Sequence, residues 1–188
     1  MITLTDKLEK ATFVTHAGNF HADDVFGTVL MERLFGDITL IRLNDYHDDG
    51  TKIAYDIGLG KFDHHGADFD KKRDNGIHYC GFGLLWQAYG LEYLKKEKIE
   101  NPEKVFEVID ELLVIGIDAF DNGEYTVDAP FNVYTLSSLI EQFRPKIGRS
   151  ENENECFLKA VSFADTIFEQ ILKDAIGKVY AMREIEKK

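Results

Sequence analysis

The spacing of apolar and polar residues over the first third of the chain predicts short strands and one amphipathic helix. Residues 11–15, A-T-F-V-T, predict a short buried strand. Residues 22–35 place apolar side chains at helical spacing and acidic ones in the first turn, as in an amphipathic helix. The apolar stretches at 38–43 and 53–57 predict two further strands. The order strand, helix, strand, strand favours an α/β sheet with parallel pairing.

From Cys80 to the end of the chain the apolar spacing is helical. Candidate helices cover residues 82–98, 102–117, 133–143 and 153–182. The expected fold class is α/β, with a mainly parallel sheet flanked by helices and a helical C-terminal portion. Residues 1–188 are expected to form one domain, with an α/β part at 1–145 and a helical extension at 146–188.

The last predicted helix carries a strong apolar stripe. Its members are Phe157, Val161, Phe163, Ile167, Phe168, Ile171 and Leu172. The stripe is expected to pack on the chain's own core, with a contact between two copies in a homodimer as the alternative.

The composition indicates a globular protein and excludes several classes. With 188 residues, of which 44% are hydrophobic, the chain has enough apolar material for a core, which excludes a mainly disordered protein. No apolar run approaches the ~20 residues that a membrane-spanning helix needs, and no leader-like segment opens the chain. Two distant cysteines, Cys80 and Cys156, fit a reducing compartment. We therefore expect a soluble cytoplasmic protein with no membrane partner.

The charge of the chain limits how it can bind an anion. A net charge of −12 argues against a broad basic surface for nucleic acid, because such affinity depends on neutralising phosphates. The sequence also has neither a basic arm nor an acidic tail. If the substrate is an anion, bound divalent cations rather than the bulk charge must attract it.

Histidine and aspartate recur together in four short segments at the ends of predicted elements. The segments are T-H-A-G-N-F-H-A-D-D at 15–24, Y-D-I-G at 55–58, F-D-H-H-G at 62–66 and G-I-D-A-F-D-N-G at 116–123. Open α/β sheets bind ligands beyond the carboxyl ends of their strands, where the first three segments fall. Imidazole and carboxylate together suit a metal ion of intermediate hardness such as manganese, zinc or iron.

The number of candidate ligands indicates two ions rather than one. Two divalent ions about 3.5–4 Å apart can clamp a phosphoryl group and activate a water between them. Asp56 is the candidate for a bridging carboxylate, and Asp63 is placed to orient His64. Plainer alternatives stay open, because Asp56 can cap a turn, and Asp118 and Asp121 can close the C-terminus of an apolar helix.

In their order along the chain, these segments resemble those of the MYG family within the DHH phosphoesterase superfamily. The segment T-L-S-S-L-I-E-Q-F-R-P at 135–145 also resembles the next segment of that family, so the resemblance covers residues 12–145. The superfamily includes RecJ-type exonucleases, manganese inorganic pyrophosphatases and nanoRNases. MYG-like proteins are associated with 3′–5′ exonuclease activity on RNA. The resemblance therefore implies a single DHH-like catalytic domain that hydrolyses phosphodiester bonds with metal ions.

The resemblance also implies roles for individual residues. The implied metal ligands are His16, His21, Asp23, Asp56, His64 and Asp118, with Asp56 shared by both ions. His65, with Asp63 beside it, would contact the scissile phosphate or assist proton transfer. Asp24 and Asp121 are further candidates, as ligands or as partners that hold the ligands. Since most of the superfamily has aspartate where His21 stands, manganese is favoured over magnesium, and zinc and iron stay open.

Candidates for holding substrate phosphate are basic residues near these segments. They are Lys71, Lys72, Arg73, His78 and Arg144. For each of them an ordinary solvated side chain is the favoured alternative. The expected partner is RNA or a short oligonucleotide, and the alternatives are a small phosphoester substrate or a metal-binding module without turnover. Members of the MYG family continue beyond the position of Lys188. Either the chain is a short natural form, or the part that holds the substrate is missing or is supplied by another subunit.

Overall fold

A computed structural model describes residues 1–187, and a sheet of four parallel strands forms the base of the fold. The strands are β1 (Ile2–Leu4), β2 (Phe13–His16), β3 (Ile38–Leu43) and β4 (Ile53–Ala54). Their spatial order is β1-β3-β2-β4, so β2 pairs with both β3 and β4. The predicted α/β class is confirmed. The sequence did not predict β1, because its three residues stand in an otherwise polar segment.

Seven α-helices are present within the described residues. They are α1 (Ala22–Phe35), α2 (Gly81–Leu85), α3 (Leu91–Lys96), α4 (Pro102–Ile109), α5 (Ile115–Asp121), α6 (Leu136–Glu141) and α7 (Glu153–Glu186). The π-helical segments Trp86–Gly90 and Asp110–Val114 join α2 to α3 and α4 to α5. The helix predicted at 22–35 is confirmed at both ends, whereas the one predicted at 102–117 runs on to Asp121. None of the described helices combines the length and the apolarity that crossing a membrane requires.

Helix α1 is the central element of the core, and most of its residues are buried. It packs against α2 and against α7, from which Phe157 and Phe168 are fully buried. The apolar stripe of α7 thus packs on the chain's own core. Trp86 is also fully buried and stacks on Phe106 with ring centroids 5.1 Å apart, so its indole serves the core.

Candidate metal centre

The carboxyl ends of β2 and β4 meet at one edge of the sheet, and the candidate ligands collect there. β2 ends at His16, and β4 ends two residues before Asp56. A short turn after β2 leads into α1, whose first turn carries Asp23 and Asp24. The F-D-H-H-G segment follows β4, and the C-terminal end of α5 brings Asp121 to the same edge. Parallel pairing therefore joins segments that are far apart in sequence.

Asp56 has an unusual backbone conformation at the middle of this group. Its φ is 55°, in the left-handed region that Asn and Asp adopt more readily than other non-glycine residues. The strand predicted at 53–57 therefore stops at Ala54, and the Asp56 N–H donates to the Phe62 carbonyl at 3.0 Å. Asp56 is only 3% exposed, so its carboxylate is buried at the point where the chain turns.

The Asp56 carboxylate stands between two histidines. Oδ2 lies 3.1 Å from His16 Nε2, and Oδ1 lies 3.3 Å from His64 Nε2. His21 completes one compact group with His16 and Asp56, in which one ligand atom from each residue lies within 4.8 Å of the others. A carboxylate that bridges two ions must direct one oxygen toward each ion. The Asp56 carboxylate has this arrangement, because its two oxygens face different histidines.

A second group of ligands lies on the other side of Asp56. His64 Nε2 is 3.2 Å from Asp121 Oδ2 and 3.8 Å from Asp23 Oδ2. Asp23 and Asp24 also lie within 4.8 Å of Asp56, measured between one ligand atom of each residue, and Asp24 Oδ2 is 3.4 Å from His16 Nε2. His21 lies within the same distance of Asp23 and Asp121, so the two groups overlap around Asp56.

The polar atoms that face one another in these groups are buried without hydrogen-bond partners. Among residues 1–187, six such atoms belong to the site. They are His16 Nε2, Asp23 Oδ1, Asp23 Oδ2, Asp24 Oδ2, Asp56 Oδ1 and His64 Nε2. Burial of unpartnered polar and charged atoms is costly, and cations among them would satisfy all six together. The donor set therefore fits divalent metal ions, and its mixture of imidazole and carboxylate suits manganese, zinc or iron.

Burial and neighbouring charges shift the pKa values of these groups in both directions. The pKa of Asp56 is lowered, because the adjacent imidazoles of His16 and His64 outweigh the effect of burial. Burial, together with the neighbouring charge of Asp56, raises the pKa of Asp23 well above its usual range. Burial also raises the pKa of Asp24 to about 7. For the imidazoles, burial acts to lower the pKa, but the adjacent carboxylates raise it to about 9 for His16 and about 10 for His64. Without metal ions the site therefore retains protons among its carboxylates.

Asn122 fixes the orientation of His64. Its Oδ1 lies 3.1 Å from His64 Nδ1, and its Nδ2 donates to the carbonyls of His78 and Asp118. Because an amide oxygen can only accept, Nδ1 of His64 carries the hydrogen and Nε2 is turned toward Asp56. The sequence prediction assigned this role to Asp63, but the Asp63 carboxylate lies beside His65, 2.8 Å from its Nδ1. Asn122 was not predicted, since an Asn-Gly pair at the end of a helix predicts only a turn.

We expect Asn122→Ala to weaken metal binding by roughly 10–100-fold, because His64 loses the acceptor that selects its tautomer. Calorimetric titration with Mn²⁺ measures the effect. Asn122→Asp is the matched control, because it keeps an acceptor oxygen at the same place and should retain more of the affinity. Equal affinities for the alanine variant and the wild type would contradict this role.

Asp118 lies outside the ligand groups, which differs from the sequence prediction. Its carboxylate accepts hydrogen bonds from Arg73 Nε at 2.6 Å and from the Cys80 N–H at 2.9 Å. The positive charge of Arg73 therefore neutralises Asp118 within the protein. Asp121, almost one helical turn further along α5, is the aspartate that faces His64.

Arg73 is also placed differently from the sequence prediction, in which it was a candidate for holding substrate phosphate. Its side chain is 6% exposed, and its guanidinium pairs with both Asp118 and Asp110. A Cβ atom at Gly83 would overlap the Asp118 carboxylate, so α2 packs directly against this ion pair. Arg73 therefore links its loop to α5 and to the π-helical segment that precedes α5.

Replacement of Asp118 should mainly affect stability, whereas replacement of Asp121 should mainly affect metal binding. Asp118→Asn should lower the free energy of unfolding by about 2–3 kcal/mol, because Arg73 Nε then faces a neutral amide. Asp121→Asn should leave the stability of the metal-free protein nearly unchanged and weaken metal binding. Urea unfolding in EDTA and calorimetric titration with Mn²⁺ on both variants separate the two effects. Loss of metal in the Asp118 variant alone would reverse the assignment.

His65 and Asp63 form a pair at the mouth of the site. The His65 side chain is 59% exposed, and its Nδ1 lies 2.8 Å from Asp63 Oδ1 and 3.3 Å from Asp56 Oδ1. Asp63 is held in turn by the Leu59 N–H, which donates to it at 2.7 Å. The hydrogen bond to Asp63 raises the pKa of His65, which favours an imidazolium that can donate a proton.

Two clefts open beside the ligand groups. His21 and His65 line both clefts, so these two exposed side chains stand at their junction. One cleft, of about 410 Å³, runs past Tyr46. The other, of about 460 Å³, runs past Phe120 and Glu141. No lysine or arginine among residues 1–187 lines either cleft.

Most of the residues expected to hold substrate phosphate lie away from these clefts. Lys71 and Lys72 are exposed, and Lys72 pairs with Asp70 at 2.8 Å. His78 is flanked by Asp70 and Glu124, and both carboxylates contact its ring nitrogens. Local carboxylates thus engage Lys72 and His78.

Arg144 lies nearer to the ligand groups. Its Nε donates to the Phe20 carbonyl at 2.7 Å, next to His21 in the chain. Burial lowers the pKa of His21, and the positive charge of Arg144 adds to this effect. A contact between Arg144 and substrate stays a prediction.

Known proteins with similar sequences place the chain in a family. The sequence model of the MYG1 exonuclease family, described as uncharacterised protein family UPF0160, matches residues 12–188. The chain is 27% identical to a MYG1 protein of Schizosaccharomyces pombe over 179 residues, which are 82% of the chain and 55% of that relative. It is 26% identical to a MYG1 protein of Caenorhabditis elegans over 195 residues, 91% of the chain and 57% of that relative.

A bacterial MYG1 protein has a similar identity to the chain and is also only partly covered by it. The chain is 26% identical to a MYG1 protein of Chlamydia muridarum, over 91% of the chain and 60% of that relative. The chain thus spans little more than half the length of the curated relatives it matches. No solved structure shows significant similarity to it. Because the family model matches the chain from residue 12 to its last residue, the chain belongs to the MYG1 exonuclease family, UPF0160.

Proposed function

We propose that this chain is a metal-dependent phosphodiesterase that removes nucleotides from the 3′ end of RNA or of short oligonucleotides. The proposal is carried by the buried carboxylate and imidazole atoms without partners that lie beside the junction of two open clefts. Two divalent ions held there, with manganese as the first choice, would polarise the phosphoryl oxygens and lower the pKa of the attacking water. The name of the matching family refers to an exonuclease, which supports the same class of reaction.

The chain's own residues have distinct tasks in this reaction. Asp56 keeps the two ligand groups together, and Asn122 holds the His64 ring in position. His65, supported by Asp63, donates a proton to the leaving oxygen. His21 and His65 border the place where the scissile phosphate binds, with one side of the diester in each cleft.

The clefts favour short substrates. Their volumes fall within the range of about 300–1,000 Å³ that is usual for small-molecule sites. A long nucleic acid gains affinity from many contacts between phosphates and basic side chains, and the clefts offer none among the described residues. For the same reason a small phosphorylated molecule is the second candidate substrate.

Hydrolysis of short RNA in the presence of Mn²⁺ tests the proposal. We expect dinucleotides and longer RNAs to be cleaved with Mn²⁺ and to survive in EDTA. A 5′-labelled RNA should give a ladder of shortened products, whereas a 3′ label should leave as a mononucleotide. His64→Ala should lose this activity, and His47→Ala, at an exposed histidine outside the ligand groups, should keep it. Intact RNA of every length, together with cleavage of small phosphoesters, would replace the proposal by the second candidate.

A further inference from the structure

An apolar pocket of about 400 Å³ lies between α5 and the start of α6 and has no part in the function described above. Its walls are mainly aliphatic, with Leu113, Ile117 and Leu136 among them. The polar side chains in its lining are three hydroxyl residues, and these are Tyr125, Thr135 and Ser137. An apolar pocket with a few polar groups is the usual form of a small-molecule site.

The pocket adjoins the cleft that contains His64. Phe120 and Ser137 line both the pocket and this cleft. Helix α5 runs from one to the other, since Gly116 lines the pocket and Asp121 belongs to the ligand groups. Five residues of α-helix span ~7.5 Å, so a small molecule held at the metal centre lies within reach of the pocket.

We propose that this pocket receives a nucleobase of the substrate, from the nucleoside next to the scissile phosphate. This inference rests on the proposed phosphodiesterase function. The faces of a base are apolar and aromatic, and they suit contact with Phe120 and the aliphatic walls. The polar edge of a base needs hydrogen-bond partners, which the hydroxyl groups of Tyr125 and Ser137 can supply. The Thr135 hydroxyl already accepts from the Ser138 N–H at 3.2 Å. A phosphate or a sugar would gain little from such a surface.

Gly116 makes the pocket accessible to a direct test. It lies on α5, is exposed, and a Cβ atom added there would meet no atom within 4 Å. Gly116→Leu should therefore fill part of the pocket without distorting the helix. Gly177 on α7 is also exposed and also has open space around an added Cβ, but it does not line the pocket. Gly177→Leu is thus the matched control.

The experiment compares Mn²⁺-dependent hydrolysis of a dinucleotide with that of the same diester without its bases. The wild type should prefer the dinucleotide by about tenfold or more in kcat/KM. Gly116→Leu should raise KM for the dinucleotide about tenfold and leave the baseless diester unchanged. Gly177→Leu should change neither. An unchanged KM in Gly116→Leu, or an equal loss on both substrates, overturns the inference.

Two further measurements separate this inference from the proposed function. If the wild type cleaves neither diester, the phosphodiesterase proposal fails, and adenosine binding followed by NMR then decides the pocket. Binding that is lost in Gly116→Leu and kept in Gly177→Leu supports a base site, and no binding to the wild type overturns it. Light scattering gives the molar mass of the protein in solution. If the wild type is a dimer and Gly116→Leu is a monomer, a second copy of the chain covers the pocket. That result also overturns the inference of a base site.

Discussion

Asp56→Asn should reduce Mn²⁺-dependent hydrolysis by about 10³-fold or more. The Asp56 carboxylate faces both ligand groups, 3.1 Å from His16 Nε2 and 3.3 Å from His64 Nε2. An amide at this place has a single oxygen and no charge, so it cannot offset the repulsion between two cations. Cleavage of a short RNA measures the loss, and the metal content of the dialysed protein should fall as well.

Asparagine is the informative replacement because of the backbone at this position. Asp56 has a φ of 55°, and asparagine adopts this left-handed conformation as aspartate does. The variant should therefore keep its fold, which circular dichroism and thermal unfolding in EDTA can check. Asp68→Asn, at an exposed aspartate in the loop after His65, is the matched control. Full activity and full metal content in the Asp56 variant would exclude a bridging role.

Metal binding should also stabilise the protein strongly. Asp23, Asp24 and Asp56 are at most 3% exposed and repel one another when ionised. Two ions, each at about 100 times its dissociation constant, would add about 5 kcal/mol to the free energy of unfolding. For a chain of this size, that corresponds to a rise in Tm of roughly 10 °C or more. Thermal unfolding with Mn²⁺ and with EDTA measures the rise, which should be much smaller for Asp56→Asn.

This stabilisation should grow with pH above 6.5. The pKa values of His16 and His64 are raised from 6.5 to about 9 and about 10 by the adjacent carboxylates, against the effect of burial. The metal-free folded protein thus keeps protons that the unfolded chain releases above pH 6.5, so its stability falls as pH rises toward 9. Metal ions must displace the same protons, so their affinity rises over this window. A Tm difference between Mn²⁺ and EDTA that does not change with pH would contradict this assignment.

The ligand-bearing segments could be predicted from the sequence, because each one follows an apolar strand or ends an apolar helix. The strong apolar periodicity at 22–35 and 38–43 predicted the helix α1 and the strand β3 with the bounds that the structure shows. The left-handed turn at Asp56 could not be predicted, since the apolar residues on either side of it continue the pattern of a strand. The position of the Asp56 carboxylate between His16 and His64 therefore required the structure.

The choice between Asp118 and Asp121 shows why the rest of the site could not be predicted. These residues are three positions apart on one helix, so their spacing puts both near the same face. Asp118 pairs with Arg73 and Asp121 faces His64, and this difference depends on Arg73, whose loop lies far away in sequence and whose other partner is Asp110. Such a contact between distant segments has no local signature.

The lining of the two clefts also determines how the protein would respond to ionic strength. A nuclease that neutralises many phosphates releases counterions from RNA, and its affinity falls by a slope of about −0.7 per phosphate in a plot of log K against log salt. Among the described residues, neither cleft has a lysine or arginine to neutralise phosphates beyond the scissile one. Counterion release would then contribute little to binding. Such a protein would keep its substrate at salt concentrations that dissociate a basic nuclease from RNA.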